Sequence, residues 1–202
     1  MIRTVIFDLG RVLVPFDFQI AYELMSRRCG LEPAEIKRRF SNSKLAHGFE
    51  SGDFDEFEFQ RRVEELLETK VEAGEFRNIW FSVFHPHTLI PESMVAGIRK
   101  NFRTVLLSNT NPIHFTMLYE RYPILQHFDA YILSHEVGAM KPLPSIYQAA
   151  IAAAGCQPEE CFFTDDVAEY VEGARSAGID AVQFQSCEQI QQELKARGVY
   201  WE

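Results

Sequence analysis

The stretch VIFDLGRVL, residues 5–13, places an aspartate directly after a run of apolar residues and a glycine two positions later. Short apolar runs rich in β-branched and aromatic residues are typical of strands that are covered on both faces of a sheet. We therefore predict a strand over residues 2–8 that ends at Asp8. A glycine at position 10 allows the backbone to approach a bound molecule closely. The stretch thus indicates a ligand site at the end of a buried strand.

Similar apolar runs recur later in the chain. They predict four more strands, over residues 103–108, 130–134, 160–164 and 180–184. Helical patterns accompany them at residues 91–101, 111–121, 144–154, 167–177 and 187–197. Because strands alternate with helices, we predict an α/β fold in which helices cover both faces of a parallel sheet.

Residues 16–88 interrupt this alternation directly after the first predicted strand. Their patterns predict helices at residues 17–29, 33–41, 53–69 and 72–83, without a clear strand. Within 53–69, apolar side chains recur at roughly helical spacing with charges between them. We interpret residues 16–88 as an insertion above the strand ends, so that residues 1–15 and 89–202 form the core.

Composition limits the classes of partner. The 202 residues carry a formal net charge of −9, and 47% of them are hydrophobic. An acidic surface repels phosphate backbones, so we do not expect nucleic acid as a main partner. We expect neither a membrane span nor a signal peptide, because the chain lacks an apolar run of suitable length. The four cysteines form no C-x-x-C pattern, which favours reduced thiols and a cytoplasmic location. Nothing in the composition indicates an oligomeric state.

Polar side chains lie where several predicted elements end. Asp8 and Ser108 end the first two strands, Asp165 and Asp166 end a later one, and Lys141 lies in a loop before a helix. Ligands bind outside the carboxyl ends of parallel strands, so we expect these side chains at one edge. Any one of them could be an ordinary helix cap, but together they suit phosphoryl transfer. Three carboxylates repel one another unless a cation lies among them, and oxygen ligands suit Mg²⁺.

Four motifs, in this order, resemble those of the haloacid dehalogenase (HAD) superfamily. They are FDLGRVLV, LLSNT, MKPLPSIY and FFTDDVAEYVEGARSAGI. The chain is most similar to the sugar-phosphatase-like branch of that superfamily, which carries a small helical cap. The resemblance implies a Rossmann-like core with an inserted all-helical cap at residues 16–88. It also implies a hydrolase that uses Mg²⁺ and acts on a small phosphorylated metabolite.

The resemblance implies a nucleophile and a metal site. Asp8 would attack phosphorus, form an aspartyl-phosphate and also bind the metal. The backbone carbonyl of Gly10 would be another ligand. Asp166 would be a direct ligand and Asp165 an outer or additional one.

The resemblance also implies a phosphate site. The backbone amides of Leu9 and Gly10 would hold phosphate oxygens. Ser108 and Asn109 would bind the same group. Lys141 would pair with both the phosphate and Asp8, and so belongs to the catalytic residues.

The sequence departs from the usual phosphatase pattern at one position. That pattern reads D-x-D, and its second aspartate acts as a general acid and base; here the position is Gly10. Loss of such a group typically costs about 10²–10⁴-fold in rate. The substrate could have a leaving group that needs little protonation, such as a sugar 1-phosphate, which we favour. Alternatively the acid comes from the cap or from water, or the protein only binds phosphorylated ligands. A second departure is Tyr170, where many relatives carry asparagine, and we predict that Tyr170 packs.

A 2-haloacid dehalogenase is the main rival reaction, since it also uses an aspartate nucleophile without a second aspartate. It needs no metal, whereas Asp165 and Asp166 provide a place for a cation. We therefore predict a Mg²⁺-dependent phosphatase.

Overall fold

A parallel five-stranded sheet forms the core of the computed structural model, which describes residues 1–201. Its strands are β1 (Thr4–Phe7), β2 (Arg103–Ser108), β3 (Ala130–Leu133), β4 (Cys161–Asp165) and β5 (Asp180–Gln183). The order across the sheet is β3-β2-β1-β4-β5, and every neighbouring pair is parallel. The predicted α/β fold with a parallel sheet is confirmed.

β1 lies at the centre of the sheet, and all four of its side chains are buried. The chain runs from β1 to β2 and β3 on one side, then crosses to β4 and β5 on the other. The strand order therefore reverses at β1. In open α/β sheets, ligand sites form at the carboxyl ends of the strands at such a point.

The strand boundaries differ slightly from those predicted. β1 begins at Thr4 rather than at residue 2, and Asp165 is the last residue of β4. Ser134 does not end β3, because its hydroxyl accepts a hydrogen bond from the Thr110 amide at 2.9 Å and its backbone starts a short helix.

Helices supply the rest of the secondary structure. Those between β1 and β2 are α1 (Phe18–Cys29), α2 (Pro33–Ser43), α3 (Leu45–Glu50), α4 (Glu56–Leu67), α5 (Ala73–Phe81) and α6 (Glu92–Arg99). The later ones are α7 (Pro112–Arg121), α8 (Ser134–Val137), α9 (Pro144–Ala154), α10 (Ala168–Ser176) and α11 (Cys187–Ala196). No helix within residues 1–201 combines the length and apolar character needed to cross a bilayer.

Two of these helices were not predicted, and several were predicted too long. Neither α3 nor α8 was expected, because runs of four to six residues carry too little periodicity. The helix predicted over residues 53–69 spans only Glu56–Leu67, since the Asp55 side chain caps it by accepting from the Glu58 amide.

Each face of the sheet has its own apolar layer. Val5 and Phe7 point into a cluster that includes α6, α11 and the end of α7. Ile6 points to the opposite face, against residues of α9 and α10. This alternation follows from the two-residue period of a strand and fixes the sheet between the two helical layers.

Helices α1–α5 form a block with an apolar core of their own. Its centre is aromatic: the rings of Phe49 and Phe59 stack with centroids 4.1 Å apart, and Trp80 meets Phe59 edge-on at 4.8 Å. These helices lie within the residues 16–88 assigned to an insertion. The division at residues 15/16 and 88/89 stays a prediction.

Two adjacent segments connect this block to the core. Phe16 and Phe84 form an antiparallel bridge. Beside it, the Asp17 amide donates to the Val83 carbonyl at 2.8 Å. The start and the end of the block therefore lie side by side, next to the end of β1.

Candidate active site

The carboxyl ends of the three central strands bring the predicted polar residues together. Asp8 follows β1, and its amide donates to the Thr164 carbonyl of β4 at 3.0 Å. Ser108 ends β2, and Asp165 ends β4. Residues far apart in sequence thus meet at one edge, as the strand pattern predicted.

Lys141 lies between two of the carboxylates. Its Nζ is 2.6 Å from Asp8 Oδ1 and 2.5 Å from Asp165 Oδ2, and it also donates to the Leu107 carbonyl at 3.3 Å. The three charged residues are almost fully buried, with 3%, 6% and 0% of Lys141, Asp8 and Asp165 exposed. Burial of unpaired charges is costly. The ammonium group therefore stabilises the ionised form of both carboxylates.

Asn109 fixes the backbone of this lysine. Its Nδ2 donates to the Lys141 carbonyl at 3.1 Å, and its Oδ1 accepts from the Lys141 amide at 2.8 Å. Both ends of the Asn109 amide are therefore engaged with Lys141. Tyr170 also lies near this lysine, with its ring centroid 5.1 Å from Nζ. That distance is within the range of a cation–π contact.

The carboxylates outnumber the two cations near them, Lys141 and Arg11. Asp8, Asp165 and Asp166 each offer an oxygen within 4.8 Å of the others. Burial raises the pKa of Asp8 to about 7; Lys141 lowers it and Asp165 raises it further. Burial, followed by Asp165, also raises the pKa of Asp166, against the opposing effects of Arg11 and Lys141.

This excess of buried negative charge suits a divalent cation. Three carboxylate oxygens match the oxygen ligands that Mg²⁺ prefers. A cation among them would favour the ionised form of each carboxyl and so oppose the effect of burial. The residues present therefore fit the predicted magnesium site.

A small cavity of about 60 Å³ adjoins these groups. The core contributes Leu9, Gly10, Ser108 and Asn109 to its wall, and the helical block contributes Glu50. Ligand sites usually measure 300–1,000 Å³. The cavity is therefore smaller than most ligand sites. A larger depression of about 780 Å³ lies at the opposite edge of the sheet, around Met1 and Arg3, away from this chemistry.

Phe16 explains why residue 10 has no side chain. A Cβ atom added to Gly10 would lie 2.7 Å from Cε1 of the Phe16 ring, closer than van der Waals contact allows. The Phe16 ring is itself held edge-on against Phe18 and Phe84, with centroids 5.6 and 6.0 Å away. The space that a second aspartate would use is thus occupied by an aromatic ring.

His114 joins the helical block to the core beside this cavity. Its Nε2 lies 3.0 Å from the Trp80 carbonyl oxygen, so Nε2 carries a proton and donates. Its Nδ1 accepts from Asn111 Nδ2 at 3.1 Å. Burial lowers the pKa of His114 to about 4, so the imidazole is neutral at physiological pH.

We expect His114 to make the fold acid-sensitive. Between its usual pKa of 6.5 and the lowered value, the unfolded chain binds a proton that the folded chain does not, so stability falls as pH falls. From about pH 7 to about pH 5 this contributes a loss of about 2 kcal/mol in unfolding free energy. Urea denaturation at the two pH values measures it.

Between about pH 7 and about pH 5, the unfolding free energy of the His114→Gln variant should fall by about 2 kcal/mol less than that of the wild type. His87→Gln is the matched control, because His87 is exposed. An unchanged pH dependence in His114→Gln would show that the buried imidazole is not responsible.

The sequence identified the charged cluster and four residues of the cavity wall, but missed the other six residues of that wall. Leu9, Gly10, Ser108 and Asn109 line the cavity, and Asp8, Lys141, Asp165 and Asp166 lie in the adjoining charged cluster. The six residues that the sequence analysis did not assign to the site are Phe16, Phe18, Glu50, Phe84, Thr110 and His114. Most of them reach the cavity through packing between the helical block and the core, which leaves no local sequence pattern.

Two curated proteins resemble the chain along most of its length. It is 27% identical over 203 residues to D-ribitol-5-phosphate phosphatase of Bacteroides thetaiotaomicron, covering 96% of this chain and 97% of that protein. It is 30% identical over 189 residues to phosphatase MT3486 of Mycobacterium tuberculosis, covering 89% of this chain and 86% of that protein.

A solved structure shows the same fold. It is a HAD family enzyme of Bacteroides thetaiotaomicron in complex with magnesium and inorganic phosphate. The TM-score is 0.82 at 26% identity, and the match covers 92% of this chain and 96% of that chain. The prediction of a magnesium-dependent phosphatase is confirmed at the level of the reaction and the metal. A family model for haloacid dehalogenase-like hydrolases matches residues 2–178, and the chain therefore belongs to that family.

Proposed function

We propose that the protein removes the phosphate from a small sugar or polyol phosphate in two steps, through a phosphorylated Asp8. The observation that carries this proposal is the buried contact of Lys141 Nζ with Asp8 and Asp165, at 2.6 and 2.5 Å, beside the third carboxylate. A nucleophile, a cation and a metal-binding set thus share one edge of the sheet.

Asp8 acts first. One of its carboxylate oxygens attacks phosphorus while the bond to the ester oxygen breaks, and a water then cleaves the aspartyl-phosphate. The Lys141 ammonium group favours the ionised carboxylate that this attack requires. Magnesium would neutralise charge on the phosphate, and its ligands would be Asp8, Asp165, Asp166 and the Gly10 carbonyl.

The phosphate oxygens are bound by backbone amides of Leu9 and Gly10 and by Ser108. The Ser108 hydroxyl supports this role, because its closest partner, the Asn109 carbonyl, is 3.4 Å away. Asn109 contributes differently from the sequence prediction. Since its side chain already bonds the Lys141 backbone, we assign it the task of positioning Lys141.

The helical block, residues 16–88, acts as the cap that covers the substrate. Phe16, Phe18 and Phe84 give the cavity an apolar wall, which suits the carbon skeleton of a small metabolite better than a macromolecule. A cytoplasmic location belongs to this proposal and rests on the predicted reduced cysteines.

A phosphate-release screen tests the proposal. Sugar phosphates, polyol phosphates, nucleotides and acyl phosphates are assayed with Mg²⁺ and with EDTA. We expect release from sugar or polyol phosphates that depends on Mg²⁺. The ratio of the phosphate-release rates on glucose 1-phosphate and on glycerol phosphate shows how much the basicity of the leaving group limits the enzyme.

Two outcomes would contradict the proposal. Activity in EDTA on 2-haloacids would identify a dehalogenase. Phosphate binding without turnover of any ester would identify a binding protein. The three clustered carboxylates argue against the first, because a metal-free site would leave their repulsion uncompensated.

A further inference from the structure

Cleavage of an alkyl phosphate requires a proton for the departing oxygen. When the P–O bond breaks, its electron pair stays on the alcohol oxygen, which is strongly basic. A positioned acid typically accelerates such a step by about 10²–10⁴-fold. The residue two positions after the nucleophile provides no acid here, since it is Gly10, which has no side chain.

Glu50 is the only carboxyl group on the wall of the cavity within residues 1–201. It is the last residue of α3 and lies on the cap side, across from Gly10, Ser108 and Asn109 of the core. It is partly buried, and within the described chain its carboxyl group makes no hydrogen bond or ion pair. A carboxyl group that is partly removed from water and has no partner loses hydration that nothing in the described chain replaces.

The neighbours of Glu50 hold it in place from both sides. The preceding Phe49 is fully buried and stacks on Phe59 in the core of the cap. Two residues later, Gly52 lies with a positive φ of 76° against the backbone carbonyl of His135 in the core domain. A side chain at position 52 would collide with that carbonyl. The segment that carries Glu50 is therefore anchored to both layers that enclose the cavity.

Two other titratable groups nearby, His114 and Lys141, are unsuitable as acids. His114 uses its one proton to bond the Trp80 carbonyl, and its pKa of about 4 keeps it neutral. The Lys141 ammonium group is held between Asp8 and Asp165. Burial raises the pKa of Glu50 to about 7, against the opposing effect of Lys141, so that a proton is present on a useful fraction of molecules at neutral pH.

We propose that the Glu50 carboxyl group donates a proton to the leaving alcohol oxygen of the substrate. This rests on the proposed function. In the first step an Asp8 oxygen bonds to phosphorus, the ester P–O bond breaks, and the Glu50 proton converts the departing oxygen to the alcohol. In the second step the Glu50 carboxylate takes a proton from the attacking water as the Asp8–phosphorus bond breaks.

The test compares two esters of similar size whose leaving groups differ in basicity. Ethyl phosphate releases an alcohol, and acetyl phosphate releases a carboxylate that needs no proton. Neither has hydroxyl groups that Glu50 could bind, so a role in sugar recognition does not affect the comparison. The quantity measured is kcat/KM with Mg²⁺, since it reports steps up to departure of the leaving group.

We expect Glu50→Gln to lower kcat/KM for ethyl phosphate by about 10²-fold or more, and for acetyl phosphate by less than about threefold. Glu50→Asp, which keeps the carboxyl group, should give an intermediate value on ethyl phosphate. Glu23→Gln is the matched control, because Glu23 is an exposed glutamate on α1 of the cap. Activity on acetyl phosphate also shows that each variant is folded.

Three results would overturn the inference. The first is an equal loss of kcat/KM on both esters in Glu50→Gln, and the second is no loss on either ester. The third is a wild-type enzyme that cleaves acetyl phosphate but not ethyl phosphate. Failure of the proposed function looks different. In that case the wild type releases no phosphate from these esters or from any sugar phosphate in the screen.

Discussion

Asp8→Asn is expected to reduce kcat for phosphate release by on the order of 10⁴-fold or more, the scale seen when a catalytic nucleophile is removed. An amide cannot form the bond to phosphorus that the proposed first step requires. The substitution also removes one of the three carboxylates that can hold the metal. The measurement is Mg²⁺-dependent phosphate release from the best substrate of the screen.

Asp17→Asn is the matched control for this substitution. Asp17 is an exposed N-cap whose side chain accepts from the Gln19 amide, and asparagine caps helices equally well. We expect this variant to keep full activity. If Asp8→Asn retained more than about a tenth of wild-type turnover, Asp8 would not be the nucleophile.

Lys141→Met is expected to lower the free energy of unfolding by about 3–5 kcal/mol in EDTA. It leaves Asp8 and Asp165 buried without the ammonium group that now contacts both. Added Mg²⁺ should restore part of the loss, because a cation binds the folded carboxylates more tightly than the unfolded chain. Urea denaturation with EDTA and with Mg²⁺ measures both effects.

The pH dependence of this loss has a definite sign. In the wild type, the pKa of Asp8 is raised from 3.8 to about 7, so the folded chain binds more protons than the unfolded chain between these values. Stability therefore falls as pH rises through this window. In Lys141→Met the free energy of unfolding should fall more steeply as pH rises. At low pH it should approach the wild-type value.

Lys37→Met is the matched control, since Lys37 is exposed on α2. It should change the free energy of unfolding by no more than about 0.5 kcal/mol. A loss below about 1 kcal/mol in Lys141→Met would show that the two carboxylates accept protons or water without needing the lysine.

The sequence predicts the core and its charged cluster because both depend on local patterns. An apolar run predicts β1, and a parallel sheet places the residues after its strands at one edge. Asp8, Ser108 and Asp165 could therefore be brought together without coordinates. The same reasoning placed Lys141, in a loop before a helix, at this edge, and the motif resemblance added its pairing with Asp8.

The cap side of the cavity could not be predicted in the same way. Glu50 stands in HGFESGDF, where a six-residue helix has too little periodicity to be recognised. Its position depends on the stacking of Phe49 with Phe59 and on the fit of Gly52 against His135. The hydrogen bonds of Asn109 to Lys141 likewise join residues 32 positions apart. Such contacts are tertiary and leave no local signature.

The pairing of Phe16 with Phe84 has a consequence for how this molecule can diversify. Because the two connecting segments are already adjacent, the helices between them form a module whose deletion or exchange leaves only a short gap for the backbone to bridge. Closing a short gap costs little chain entropy. Evolution or an engineer could thus replace the module with versions that have other cavity-lining residues and another residue at position 50, while Asp8 and Lys141 keep their places.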